Sequence, residues 1–322
     1  MYKKFKEGIY AGIDCGTGGM RMLVARVNTD GTTDRLHAQS INHDIGHDLN
    51  ASGRITDATA VHLVESAAQL VATAKSLGAE GVRAVGTASF REAENGDDVL
   101  KSLSEQAVPF ELLTGMEELE LSLQGVMPYI PDIDEDFYFA DSGGGSTEVA
   151  LVNGKTGRVL AGKSLSFGVS SLAKQLADIA DKPSPEQLTD FTKGLVETLS
   201  RKMAEWDKPG TDATKLVMAG SPLYLKRFQL KHEEPRRDEY IGKTIGLEDI
   251  LTIAEDLAGL GHEGRTSSKY LDDAGVFFML PAAVKGAALL QATGTKEIII
   301  ASSGICAGLA LQQAAFEQEV AS

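Results

Sequence analysis

The chain of 322 residues has little cysteine and a deficit of positive charge. Its two cysteines, Cys15 and Cys306, allow at most one disulfide, which is no scaffold for a chain of this length. A reducing, cytoplasmic setting is the expectation. Lysine and arginine number 31 against 46 aspartates and glutamates, for a formal charge of −15. Such a surface repels DNA and anionic membranes, so neither is an expected partner. It also repels a polyanionic substrate unless local cations or metal ions reverse the sign at the site. No apolar run reads as long enough to span a membrane. The N-terminal "MYKKFKEGIYAGID" lacks the apolar core of a secretory signal.

What is present is an ordinary globular balance, 43% hydrophobic and 24% charged, at a length suited to two domains. "GIYAGID" and "MRMLVARV" predict two strands around the turn "CGTGG". "TTDRLHAQSINHDIG" predicts a third strand running into a polar loop. Residues 57–76 have helical spacing, with Thr56 or Asp57 as N-cap and Gly78 as stop. Strands and helices then alternate through "VRAVGTAS", "NGDDVLKSLSEQ", "PFELLTG" and "MEELELSLQGVM". Near Asp136 the plan restarts: "FYFADSGGGSTEVALVNGKTGRVLAGKSLS" reads strand, glycine turn, strand, hairpin turn, strand. Later segments predict helices at 171–206, a strand at "KLVMAGSP", an exposed loop over Lys226–Lys243, two helices, the strand "KEIIIASSG" and a closing helix. Asp14 and Asp141 occupy equivalent places in the two halves, 141 − 14 = 127 residues apart. The expected class is α/β, with domains at 1–123 plus 304–322 and at 124–303.

Each glycine turn can bring backbone amides to an anion, the glycines supplying positive φ and close approach. In "DSGGGSTE" the hydroxyls of Ser146 and Thr147 add donors. An aspartate in such a turn opposes a phosphate unless a cation intervenes, so Asp14 and Asp141 invite Mg²⁺. Glu148, just past the turn, is placed to serve metal or water. One such turn alone is more often structural; two in equivalent contexts favour a ligand. No Gly-Lys-Ser/Thr follows either turn, and a strand rather than a helix does, which excludes a P-loop and a dinucleotide fingerprint. Glu117, Glu118 and Glu120 open a helix, where acids are favoured by the dipole alone. Arg91 suits bidentate phosphate binding, though an arginine near a helix start is usually a surface residue.

"AGIDCGTGGMRMLVARV", "GTASFREAENGDDVL", "ELLTGMEELELSLQGV" and "FADSGGGSTEVALV" occur in that order and at fitting distances. Together they resemble the exopolyphosphatase / guanosine pentaphosphate phosphohydrolase family. The resemblance implies two actin-like domains with the active site in the cleft between them. It implies hydrolysis of the terminal phosphoanhydride of inorganic polyphosphate or guanosine pentaphosphate, with Mg²⁺ or Mn²⁺; K⁺ and a homodimeric assembly stay open. Carried onto this sequence, it makes Glu118 the base for the attacking water and Glu148 its assistant or a metal ligand. Asp14 and Asp141 hold metal; Gly16, Thr17, Gly18, Gly19, Gly143, Gly144, Gly145, Ser146 and Thr147 cradle phosphate; Arg91 clamps it. The first turn, usually Gly-Ser-Asn-Ser, is Gly16-Thr17-Gly18-Gly19 here, and the usual Glu-Glu-Ala-Arg reads Glu117-Glu118-Leu119-Glu120. The closing Gly-Leu-Arg-Glu-Gly has become "GICAGL", and Ser171 stands where arginine is common.

Two other readings of the same residues stay open: an ATP-dependent small-molecule kinase of this superfold, and a non-catalytic polyphosphate- or nucleotide-binding regulator. His43 and His47 read as part of a cleft loop rather than a metal site, and Cys15 as a small buried residue. Lys226, Arg227, Arg236 and Arg237, interleaved with acids, read as a solvated charged loop.

Overall fold

The computed structural model describes residues 5–106, 108–206, 210–302 and 304–320. β1 (Gly8–Gly16) and β2 (Gly19–Val27) pair antiparallel up to Gly16↔Gly19, leaving Thr17 and Gly18 as the turn. β3 (Thr33–Asn42) adds to the free edge of β2. The chain continues through α1 (Ile45–Ser52) and α2 (Asp57–Ser76). Thr56 caps α2, its hydroxyl accepting from Thr59 N, and Gly78 at φ +83° follows its end. The segment expected as a polar loop after the third strand is thus α1. Its short run "IGHDLNAS" is closed by Gly53 in the left-handed region.

β4 (Gly81–Gly86) returns parallel to β1, which requires a crossover, and α1 and α2 supply it. α3 (Ala88–Glu92), α4 (Gly96–Gln106), β5 (Phe110–Leu112) and α5 (Gly115–Val126) follow. The first sheet has the order β3-β2-β1-β4-β5. Its middle strand β1 is buried over six consecutive residues, from Tyr10 to Cys15, because helices cover both faces.

The second half repeats the plan. β6 (Phe137–Ser142), β7 (Thr147–Asn153) and β8 (Arg158–Leu165) form an antiparallel meander. α6 (Val169–Ile179) and α7 (Pro185–Ala204) cross over to β9 (Leu216–Ala219), which pairs parallel to β6. Next come α8 (Pro222–Gln229), α9 (Arg237–Tyr240), β10 (Thr244–Gly246), α10 (Leu247–Thr266), α11 (Asp273–Thr293) and β11 (Glu297–Ile300). The sheet order β10-β11-β9-β6-β7-β8, taken from its β8 end, reproduces the first sheet's order and directions, with antiparallel β10 added at the far edge. This is the expected pair of actin-like α/β domains. The chain divides into Met1–Pro128 with Ser303–Ser322, and Tyr129–Ser302. The boundary expected after residue 123 falls inside α5. The final helix, α12 (Ile305–Val320), belongs to the first unit.

Two sequence expectations are corrected. Lys226–Lys243 is not simply an exposed loop: Lys226 and Arg227 lie in α8, and Arg227 is buried, its guanidinium donating to the carbonyls of His232 and Glu233. Tyr240 at the end of α9 is also buried. α11, in turn, contains a segment, Gly275–Thr293, that is long and apolar enough to cross a membrane by length and composition. It is 78% buried inside the second unit and packs in that unit's core, so burial accounts for its composition.

In the first unit α5 and α12 touch backbone to backbone. A Cβ on Gly125 would lie 1.9 Å from the carbonyl oxygen of Gly304, and one on Gly308 would lie 2.1 Å from that of Leu121. The glycines of "GICAGL" therefore serve this crossing. Gly125→Ala is expected to cost about 1–3 kcal/mol, since only separation of the helices relieves the clash. Urea denaturation checks this, and an unchanged midpoint would refute it.

Candidate active site

α5 places its acids by capping chemistry. Thr114 is the N-cap, and Glu117 completes a capping box, its carboxylate accepting from Thr114 N at 2.8 Å. Glu117 thereby stays at the helix end, and Glu120 faces solvent. Glu118, one residue round the helix, is 6% exposed. Arg91 Nη1, from α3, donates to Glu118 Oε2 at 3.2 Å and to the carbonyl of Leu113 at 2.7 Å. Two residues singled out separately in the sequence, Arg91 and Glu118, thus form one ion pair, with the guanidinium orienting the carboxylate.

Asp14 is buried near the end of β1, and the register sets it opposite Arg21 of β2. Thr17, at the tip of the turn, accepts from Gly46 N of α1 at 3.1 Å, while the Cβ side of Gly18 is open. His43 and His47 diverge. His47 is exposed on α1, whereas His43 is buried with Nε2 3.7 Å from Cys15 Sγ. Burial holds His43 down at about 4 and raises the Cys15 thiol well above its ordinary range, with Asp14 adding to the latter. The pair is a neutral packing contact.

In the second unit β6 and β7 set Asp141 opposite Glu148 and Ser142 opposite Thr147. The two carboxylates therefore stand on the same rung of the ladder, at 9% and 1% exposure. Ser164 Oγ, from β8, donates to Glu148 Oε1 at 2.7 Å, and Ser146 adds a second hydroxyl. Burial, then the Asp141 charge, push Glu148 up to about 7 despite these donors. The two halves differ at this rung. Arg21 and Glu148 are equivalent by spacing (148 − 21 = 127), so Asp14 faces a cation where Asp141 faces a second acid.

The turn Gly143–Ser146 packs on the start of α6. Val169 N and Ser170 N donate to the carbonyls of Gly143 and Gly144 at 3.1 and 3.0 Å. A Cβ on Gly168 would meet Gly144 O at 2.0 Å, so the helix can approach this closely only with glycine there. The expectation of positive φ in the turn glycines is corrected: Gly16, Gly18, Gly19, Gly143, Gly144 and Gly145 are all absent from the left-handed region. Ser146 and Thr147 are buried. The Thr147 hydroxyl donates to Phe167 O at 2.7 Å and accepts from Lys285 Nζ at 3.1 Å. The "AGSP" turn borders the same site, with Gly220 at φ +85° and Ser221 Oγ donating to Ser142 Oγ at 3.0 Å.

Lys285 belongs to none of the motifs in the sequence. It is a single charge inside the apolar run "LPAAVKGAALL" of α11, and that contrast was the available signal. The structure buries it completely, and burial draws its pKa down to about 7 against the attraction of Glu148 and Asp141. Among the described residues no group of three or more His, Cys, Asp or Glu side chains gathers to hold a metal ion. Asp141, Glu148 and the serine hydroxyls are nevertheless an oxygen-only set that suits a hard cation, with water and ligand oxygens completing the shell. The rise at Glu148 is the strain that such a cation would relieve.

Comparison with known proteins bears on what this arrangement belongs to. Exopolyphosphatase 2 of Mycobacterium tuberculosis is 30% identical over 151 residues, 44% of this chain and 47% of that protein, so the chain spans about half the length of this relative. An uncharacterized protein of Streptomyces coelicolor is 25% identical over 305 residues, 93% of this chain and 88% of that one. The crystal structure of an Aquifex aeolicus Ppx/GppA family member superposes with a TM-score of 0.81 at 20% identity, covering 96% of this chain and 98% of the other, a likeness of fold. The model of the Ppx/GppA phosphatase family matches residues 23–315, and the chain belongs to that family.

Proposed function

We propose that this protein is a cytoplasmic phosphoanhydride hydrolase that releases terminal phosphate from inorganic polyphosphate, with guanosine pentaphosphate as a second substrate. The observation that carries the reading is Glu118, buried and paired with Arg91 while its neighbour Glu117 does the helix capping. A carboxylate excluded from capping and oriented by a guanidinium suits a base for an attacking water. Phosphoryl transfer asks for positioning and charge neutralisation more than for covalent chemistry. In this reading Glu118 takes the water's proton and Arg91 clamps a phosphate. The turns Gly16–Gly19 and Gly143–Ser146 bind phosphate oxygens through backbone amides. Mg²⁺ or Mn²⁺, when bound, would neutralise charge on the transferring phosphoryl group. Asp141 and Glu148 are the residues of the second unit that would hold it, and Asp14 is the corresponding carboxylate of the first.

The test is phosphate release, with Mg²⁺, from long-chain polyphosphate, guanosine pentaphosphate and ATP. Release from polyphosphate is the expected result. Folded protein that releases phosphate from none of them would overturn the reading in favour of a kinase or a binding protein.

A further inference from the structure

Lys285 is the only lysine among the buried polar and charged residues of the described chain, and its exposure is 0%. Removing an ammonium from water is expensive, and residues of matching volume without charge are often at least as stable in such places. Its immediate partners are neutral oxygens: Thr147 Oγ1 at 3.1 Å and the carbonyl of Gly143 at 3.4 Å. The carbonyl of Gly143 does not depend on it, and Thr147 Oγ1 is only a neutral acceptor for it. Gly143 O already accepts from Val169 N, and the Thr147 hydroxyl already donates to Phe167 O. Beyond serving as counter-charge to Glu148 and Asp141, which attract it, hydrogen bonding to two neutral oxygens does not explain a lysine here.

Its position does. Gly143 and Thr147 are the two ends of the glycine turn, and the ammonium joins them from the core side. On that side the turn shows its oxygens, those of Gly143 and Gly144, to α6 and Lys285. Among the described residues no backbone carbonyl accepts from the amides of Gly144, Gly145 or Ser146. The nearby fixed charges, Asp141 and Glu148, are negative, and Lys285 is the cation that feels both. A turn with acceptors drawn inward and a cation beneath it is arranged for an anion.

We propose that Lys285 is a phosphate-positioning residue: a built-in cation under the Gly143–Ser146 turn that lets this unit hold an inorganic phosphate chain without a divalent ion. The inference deepens the polyphosphate reading above and rests on it for the identity of the anion.

The experiment is calorimetric titration of the full-length protein with inorganic tripolyphosphate in EDTA, on wild type, Lys285→Met and Lys285→Arg. Wild type is expected to bind under these conditions. Lys285→Met should weaken binding at least tenfold in protein that remains folded by circular dichroism, and Lys285→Arg should recover part of the loss. In steady-state hydrolysis with Mg²⁺, Lys285→Met should raise KM more than it lowers kcat. A purely structural lysine would instead lower the melting temperature and leave tripolyphosphate binding intact, which overturns the proposal. Wild type that binds tripolyphosphate only with Mg²⁺ present also overturns it, whether or not the variants fold. The readouts separate the two readings. Lost binding in a protein that hydrolyses nothing keeps Lys285 and sinks the hydrolase; unchanged binding in an active hydrolase does the reverse.

Discussion

Glu118→Gln is expected to reduce phosphate release from polyphosphate by about 10²–10⁴-fold, the usual cost of removing a general base. The change is isosteric. Glu118 is not the helix cap, so α5 keeps its N-terminal bonds through Thr114 and Glu117. The glutamine carbonyl can still accept from Arg91, and Arg91 keeps its bond to the Leu113 carbonyl. The loss should therefore fall on kcat, with little change in melting temperature. Glu117→Gln is the matched control. Its amide oxygen can still accept from Thr114 N, so the capping box is kept, stability changes little and turnover stays in place. Retention of full activity in Glu118→Gln, or equal losses in both variants, would remove Glu118 from the role of base.

Glu148→Gln should lower turnover by at least about 10²-fold, whether its carboxylate assists the water or holds metal. It carries a second signature that needs no substrate. The folded-state pKa of Glu148 lies at about 7, above the ordinary 4.5. A raised acid stabilises the fold below its unfolded pKa, and that contribution is lost as pH rises through the folded one. In metal-free buffer the wild type should thus lose stability between about pH 4.5 and 7 from this group. Lys285 has the opposite slope, its contribution being lost as pH falls through about 7; in the variant it also loses the attraction of Glu148, which lowers its pKa further and adds to the variant's relative gain at high pH. Melting curves at pH 5 and pH 8 should show the variant gaining on wild type at the higher pH, by an amount on the order of a few degrees. Parallel curves would mean that Glu148 is not strained in the fold. Added Mg²⁺ should narrow the gap at pH 8, because a bound cation favours the ionised carboxylate.

Much of this protein was legible in its sequence because local signals agreed. Alternation around "CGTGG" and "SGGGS" identified two hairpins, and the spacing of 127 residues between Asp14 and Asp141 identified the repeat. The capping signature "TGMEE" put Glu117 and Glu118 at the start of a helix. Where the sequence misled, long-range packing had overruled a local pattern. Dense charge at Lys226–Lys243 suggested solvent, but Arg227 finds carbonyl partners that only the fold brings to it. "GICAGL" was legible only as a departure from the usual Gly-Leu-Arg-Glu-Gly; the fold shows that its glycines let α12 meet α5.

Glu118 was singled out through the family resemblance; the order of motifs, the doubled sheet plan and the placing of Asp14, Asp141 and Glu148 beside the glycine turns were legible in the sequence itself. They follow from periodicity and turn chemistry, which act over a few residues. Tertiary structure alone decided the partners: Arg91 with Glu118 across 27 positions, and Lys285 with Thr147 across 138. It also decided which of three neighbouring acids on α5 is buried. Such pairings depend on which helix face meets which strand end, and no local rule encodes that, because burial and charge are set by every element packed around a residue.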